Sequence, residues 1–468
     1  MNFRVSILCM LFCLVNLTLV GQDKLNMDLV YHWEDATIPP AFFINNTYNE
    51  IWGWHDEVKD REYAIIGSSI GTHFFDITDT SNVVQVDFVA GKADDMIHRD
   101  YKNKGEFLFM VADEWESSLQ VVDMSYLPDS VHLVYDSDTL FQISHNIWIE
   151  GNRMYACVPR NVSPGFPPGA NFGLYDIADP ANPILIDTYN QYGVVHDLYS
   201  RNDTVYLNTE FAGLRIVDMT DPLNPNLIGS VSSYPFQGYN HSGWLTDDGK
   251  YYVFADETHG MPLKVLNVQD FDNLAINSFL FPSLDFMNRD SSAIGHNPLI
   301  VDNFVFVSYY YDGVYVFDIT DPIQPTLAGF YDTYPAANDE FYRGVWGVYP
   351  LLPSGLVLAS DMQTGLYVFS FDGFQQDSTT TNIEPDLNTA IRFSPNPARD
   401  WVNVLSSLPQ QDVQIELYDM QGKLLQKEEL DRMEHSYRFT LSPQLPKGIY
   451  VLSLRSKQTH YKQKLVIH

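Results

Sequence analysis

The sequence predicts an all-β protein: a seven-bladed β-propeller closed by an N-terminal strand, followed by a small C-terminal β-sandwich. Three observations carry this. The chain holds 29 Tyr and 29 Phe in 468 residues and few helix-period patterns, a balance that favours strands. An apolar strand ending in Asp or an equivalent recurs seven times. A lone strand near the N-terminus resembles the one strand that the seventh copy lacks.

Taken in chain order, residues 1–21 read as a signal peptide. Arg4 gives a positive start, Val5 to Val20 is mostly apolar, and Gly21 suits cleavage. Its removal takes Cys9 and Cys13 away and leaves Cys157, which has no intrachain disulfide partner. Next comes Asp28–Glu34 (DLVYHWE), the proposed clasp. The repeat markers follow as HFFDI (73–77), LQVVDM (119–124), FGLYDI (172–177), GLRIVDM (213–219), LKVLNV (263–268), GVYVFDI (313–319) and GLYVFSF (365–371). The clearest copies run into Pro-bearing turns, such as DMTDPLNP at 218–225, where Asp caps the turn and Pro fixes φ. Two strands precede each marker and one follows, which makes a four-stranded blade. After Phe371 no fourth strand follows, so Asp28–Glu34 completes blade seven and leaves no free edge. The propeller is expected over 27–372, a polar linker over 373–390, and the sandwich over 391–468.

Charge narrows the partners. The chain carries −33 overall, with +3 in residues 391–468 and −36 in the remainder. Such a surface repels phosphate backbones, which argues against nucleic acid. Beyond the leader, no apolar run is long enough to span a bilayer. There is no GxSxG elbow, phosphate-binding glycine loop, HExxH or paired-cysteine zinc pattern. Acidic loops offer oxygen donors for calcium without specifying a site.

One repeat position concentrates chemistry. At the head of the first strand stand His55, His98, His145, His196, His241 and His296, with Trp346 in blade seven. Some 13–15 residues later come Asp113-Glu114, Glu210, Asp256-Glu257 and Asp361. First strands are innermost in a propeller, so these histidines approach one mouth of the axis. Two readings stay open. The imidazoles of His98, His145, His196, His241 and His296 converge on a transition metal, with Asp113, Glu114, Glu210, Glu257 and Asp361 orienting them. Or each histidine staples its own blade by hydrogen-bonding a loop carboxylate or a backbone group. Long connections at 159–171, 258–262, 282–295 and 334–345 fall on the same face, where Tyr309, Tyr310, Tyr342 and Trp346 add aromatic surface suited to sugars or peptides.

The segment GLRIVDMTDPLNP resembles the LVIVD repeat. The longer run of IWGWHD (51–56), REYAIIGSSIGTHFFDIT (61–78), YNHSGWLTDDGKYYVFADE (239–257) and VYPLLPSGLVLASDMQTGLYVF (348–369) is similar to the choice-of-anchor B family. That resemblance implies an exported bacterial surface protein without a defined reaction. The tail, with FSPNPARDWVNV (393–404), IELYDMQGKLL (415–425), LPKGIYVLSL (445–454) and KQKLVIH, resembles a type IX secretion sorting domain of the Bacteroidetes. It implies a partnership with the type IX machinery, passage via the periplasm, and a secreted or surface-anchored product. The expected function is binding or scaffolding through the histidine-bearing face, with a surface glycan or protein as ligand. The alternative is a metal-dependent enzyme, an oxidoreductase or lyase, built on the axial histidines.

Overall fold

Apolar runs such as Tyr63–Ile66, Leu108–Val111 and Tyr252–Ala255 do not alternate with polar residues, so they suit strands covered on both faces. In the computed structural model they are such strands, buried throughout. The structure describes residues 24–162, 169–282, 293–335, 342–377 and most of 391–467. The expected signal peptide, most of the linker and the middles of three long connections lie outside the described residues. The chain divides into two compact units, one through Gln376 and one from Asp377.

The first unit is all-β; among the described residues its one helical element is the 3-10 turn Asp372–Asp377. Four-stranded antiparallel sheets follow one another along the chain. Sheet one is Tyr48–Asp56, Arg61–Ser68, Gly71–Asp76 and Val84–Ala90. Sheet two begins at Arg99–Lys104, sheet three at Ile147–Glu150, sheet four at Asp197–Arg201 and sheet five at Asn240–Leu245. Sheet six begins at Ile294–Val301 and gains a fifth strand, Lys24–Leu25, on its outer edge. Sheet seven takes three strands from Val345–Tyr349, Leu356–Asp361 and Gly365–Phe371, and its fourth is Met27–Trp33.

Every third-to-fourth strand pairing carries a bulge of one residue, at Val86, Val134, Ile186, Ile228, Asn277 and Ala328. Met27–Trp33 has it too, at Val30 against Phe369 and Val368. A bulge sharpens local twist. The first strands contact one another in succession, and that of sheet seven contacts that of sheet one.

The turns after the third strands are closed by side chains. Asp76, Asp123, Asp176, Asp218, Asn267 and Asp318 each accept from the backbone N–H two residues on, at 2.8–3.0 Å. In these Asx turns the closing bond is made within three residues. In the second unit, a three-stranded sheet (Ile391–Ser394, Trp401–Ser406, Ser436–Thr440) and a four-stranded sheet (Leu424–Met433, Gln410–Tyr418, Gly448–Arg455, His460–Ile467) share one apolar cluster. Val402, Val404 and Phe439 enter it from the first sheet, and Ile415, Leu417 and Leu452 from the second.

Candidate functional site

The heads of the first strands assemble a ring of side chains. His98, His145 and His196 stand just before their strands; His241, His296 and Trp346 stand just inside theirs. Ring centroids are 5.2 Å apart from His98 to His145, 4.0 Å to His196, 4.4 Å to His241 and 4.3 Å to His296. Trp346 follows at 5.2 Å and returns to His98 at 5.0 Å. Six rings from six sheets therefore close a circle.

His55 is not among them. It lies near the far end of Tyr48–Asp56, and its Nε2 sits 3.2 Å from Asp60 at the hairpin. This corrects the sequence reading, and the reason is strand length: the strand runs for nine residues, with Tyr48 at its head and the WHD motif at its tail. The head of sheet one instead offers Asn49, whose Nδ2 donates to Ile97 O at 3.1 Å, and Glu50.

The partners of each imidazole fix its tautomer, because carboxylates and carbonyls only accept. His145 Nδ1 donates to Asp113 Oδ2 at 2.8 Å, and Asp113 is also held by Arg160 Nη2 at 3.2 Å. His98 Nδ1 donates to Glu114, and His296 Nδ1 donates to Trp346 O at 2.5 Å. His241 Nε2 lies 3.8 Å from Glu257, and the Nδ1 atoms of His196 and His241 are buried without a hydrogen-bond partner. Burial disfavours charge on His145, His196, His241 and His296. On His145, the bond to Asp113 and the charges of Asp113, Asp197 and Glu257 outweigh burial and push the pKa up to about 9. Burial, then the charge on His145, pushes His296 down to about 3 and holds His196 and His241 well below the ordinary value.

Below the ring lies an acidic layer from the next residues of the same strands. Glu50, Asp100, Lys102, Asn146, Asp197, Ser242 and Asn297 line a cavity of about 40 Å³. A smaller one of about 20 Å³ joins this layer to His98, His145, His241, His296 and Trp346. Lys102 Nζ holds Asp100 at 2.9 Å. Burial raises the carboxyls of Asp197 to about 7 and Glu50 to about 8, with Asp100 adding to the latter.

The other residues singled out in the sequence fall in different places. Glu257 receives the Tyr310 hydroxyl, and Tyr310 packs on His296 at 4.9 Å. Glu210 reaches the ring only through Tyr239, accepting its hydroxyl at 3.1 Å while that ring stands 5.0 Å from His196. Asp361 accepts from Thr333 and from the N–H groups of Gln363 and Thr364, so it closes its own hairpin. Tyr309 is buried with Leu263 and Val307 between sheets, not on a ligand face; alternation along a strand puts Tyr309 and Tyr310 on opposite sides. Of the four aromatics expected there, only Tyr342 is exposed.

A rim of exposed aromatics was not foreseen. Phe42 is 81% exposed and Phe211 is 73% exposed, and Phe43 and Trp115 are exposed as well. Phe42 N–H and Trp115 Nε1 both bond to Asp95, and Phe211 packs on Tyr239 at 5.3 Å. The signal was present: Trp115 follows Glu114 and Phe211 follows Glu210, an aromatic after the carboxylate at one repeat position.

Comparison with known proteins bears on fold and export. The LVIVD repeat matches residues 205–233 and 299–333, and the secretion system C-terminal sorting domain matches residues 393–468. No curated protein matches the chain. Among solved structures, the β-propeller domain of Cps50 (Swd1) from Myceliophteria thermophila is 12% identical, with a TM-score of 0.50 over 74% of this chain and 99% of that one. The periplasmic gluconolactonase PpgL of Pseudomonas aeruginosa is 11% identical, with a TM-score of 0.49 over 84% and 99%. PorZ, a surface component of the type IX secretion system of Porphyromonas gingivalis, is 10% identical, with a TM-score of 0.44 over 93% and 61%. The chain carries LVIVD repeats in a β-propeller and a type IX sorting tail, which marks an exported protein of the surface or the medium. Among the described residues no helix is long and apolar enough to cross a membrane.

Proposed function

We propose that the chain is an exported, seven-bladed β-propeller, closed by its N-terminal strand, that binds a glycan or protein at the cell surface through its histidine-bearing mouth. The sandwich tail delivers it there via the periplasm. Seven sheets, the pairing of Met27–Trp33 with Gly365–Phe371 and the bulge shared by all seven outer pairings support the closed ring. Double attachment, through Lys24–Leu25 on sheet six and Met27–Trp33 on sheet seven, fits a clasp.

The observation that carries the binding role is the aromatic rim. Phe42, Phe43, Trp115, Phe211 and Tyr342 expose apolar rings beside the mouth, where each gives large contact area at small entropic cost. Replacing Phe42, Trp115 and Phe211 together by Ser should abolish retention of the purified chain on envelopes of the source cells without changing its melting temperature. Undiminished retention would refute the rim as the contact surface. Removing residues 391–468 should stop surface delivery while the propeller still folds, since the two units have separate cores. Normal amounts of truncated protein at the surface would remove the sorting role.

A further inference from the structure

The ring invites a sharper assignment. Stapling would have each histidine hydrogen-bond a carboxylate or a backbone group of its own sheet, and among the ring histidines His98 does so, through Glu114. His145 turns to Asp113 of the preceding sheet, His296 turns to the Trp346 carbonyl of the following one, and neither Nδ1 of His196 nor Nδ1 of His241 has a partner. The consequence is a set of nitrogens aimed at one another. One ligand atom each from His145, His196 and His241 lie within 4.8 Å of one another, and the same holds for His241, Glu257 and His296. His196 and His241 each keep a buried Nδ1 without a hydrogen-bond partner, which is unfavourable unless a donor or a cation stands beside it. Two further acceptors in the cavity beneath, Asn146 Oδ1 and Asn297 Oδ1, are also buried without a donor.

We propose that His145, His196 and His241 hold one divalent first-row transition-metal ion, with His296 and Glu257 as adjoining donors. Zn–N bonds of about 2.0–2.1 Å place tetrahedral donors about 3.3 Å apart, so the 4.8 Å envelope closes with side-chain shifts below the scale of backbone movement. Imidazole nitrogens with one carboxylate suit zinc, copper, nickel or iron; calcium and magnesium require oxygen shells that this ring does not supply. Outer support is in place. Asp113 and the Trp346 carbonyl each take the Nδ1 proton of a ring histidine, which turns its Nε2 inward, the arrangement that orients metal-bound histidine elsewhere. Glu50, Asp100 and Asp197 lie beneath, with Lys102 and Arg99 beside them, and the propeller's excess negative charge draws cations to it. The assignment stands on these side chains alone, so it survives or fails independently of any macromolecule docking on the aromatic rim.

The test uses the purified full chain, stripped by chelator and titrated with Zn²⁺ and Cu²⁺. One ion per chain should bind, copper more tightly than zinc. Asp113→Asn, which keeps shape but weakens the orientation of His145, should lower zinc affinity about 10–100-fold. His196→Ala and His241→Ala should lower it further, while His55→Ala at the opposite end should leave it unchanged. Paramagnetic resonance of the Cu²⁺-loaded wild-type chain needs no variant, and should show hyperfine coupling to three or four imidazole nitrogens. Absence of stoichiometric binding, oxygen-only coordination of copper, or equal zinc affinity in wild type and the histidine variants overturns the site.

Discussion

The two ends of the repeat solve opposite problems. At one end, six of the seven third strands finish in Asp or Asn whose side chain takes the N–H two residues on. At the other, His145 reaches Asp113 across 32 residues and His296 reaches Trp346 across 50, while His196 and His241 leave buried nitrogens unpaired. The first end is repeated, local and fully satisfied, which is what folding many similar units requires. The second is uneven and frustrated in its polar contacts, as functional sites commonly are. A single repeat thus carries its folding signal and its chemistry on opposite tips of the same strands.

The largest expected effect concerns what both ends share. Deleting Asp28–Glu34 strips sheet seven of its fourth strand and uncovers the Gly365–Phe371 edge. Cooperative thermal unfolding should be lost and protease sensitivity should rise sharply; an unchanged melt would show that the two ends do not depend on a closed ring. Next in size is a buried charge pair between adjacent strands of sheet five, near the histidine end. Lys264 Nζ meets Asp256 Oδ2 at 2.7 Å with both side chains fully buried, and Asp256 also accepts from Tyr234 and Gly238. Asp256→Ala, leaving that cation unpaired, should cost about 3–5 kcal/mol in denaturant unfolding. A cost below 1 kcal/mol would mean that the long-range end is no more cooperative than the turns.

A third effect separates pH from the ring itself. His73 is buried against Trp33 and Phe88, away from the mouth. Burial, aided by Arg99 and opposed by Asp35, lowers its pKa from 6.5 to about 4. The folded protein thus binds this proton less readily than the unfolded chain. Its contribution is fully present above about pH 6.5 and falls away as pH drops towards 4, by roughly 3 kcal/mol at most. His73→Gln should flatten that part of the stability profile; an identical profile would move the acid sensitivity elsewhere. The smallest effect belongs to the turns. Asp176→Ala and Asp318→Ala should each cost about 1 kcal/mol, equal within error and additive, because each removes one local bond; Asp218→Ala should cost somewhat more, since Asp218 also accepts from the Thr220 hydroxyl. Unequal losses at Asp176 and Asp318, or coupled ones, would break the contrast between the ends.

The repeat made much of this legible in advance. The marker GLRIVDM (213–219) is found as the strand Leu214–Asp218, with Asp197–Arg201 and Thr204–Asn208 before it and Asn226–Val231 after it, the order the repeat predicts. The sorting tail was plain in FSPNPARDWVNV and LPKGIYVLSL, and its model matches 393–468. The candidate site was legible as a repeated residue and illegible as a network. His55 shared the local motif but not the strand position, and Asp361 and Glu210 shared the spacing but spend their oxygens on Thr333 and Tyr239.

What the sequence determined by itself is whatever closes within a few residues: alternating and continuous apolar runs, Asx turns, the Asp-Pro punctuation and the charge split between propeller and tail. What only the tertiary structure decided is which nitrogen faces which carboxylate, why Tyr310 meets His296 while Tyr309 is buried between sheets, and which aromatics form a rim. The reason is range. A hydrogen bond to residue i+2 is written in adjacent letters, whereas a contact between strand heads some 50 residues apart exists only once the sheets have packed side by side.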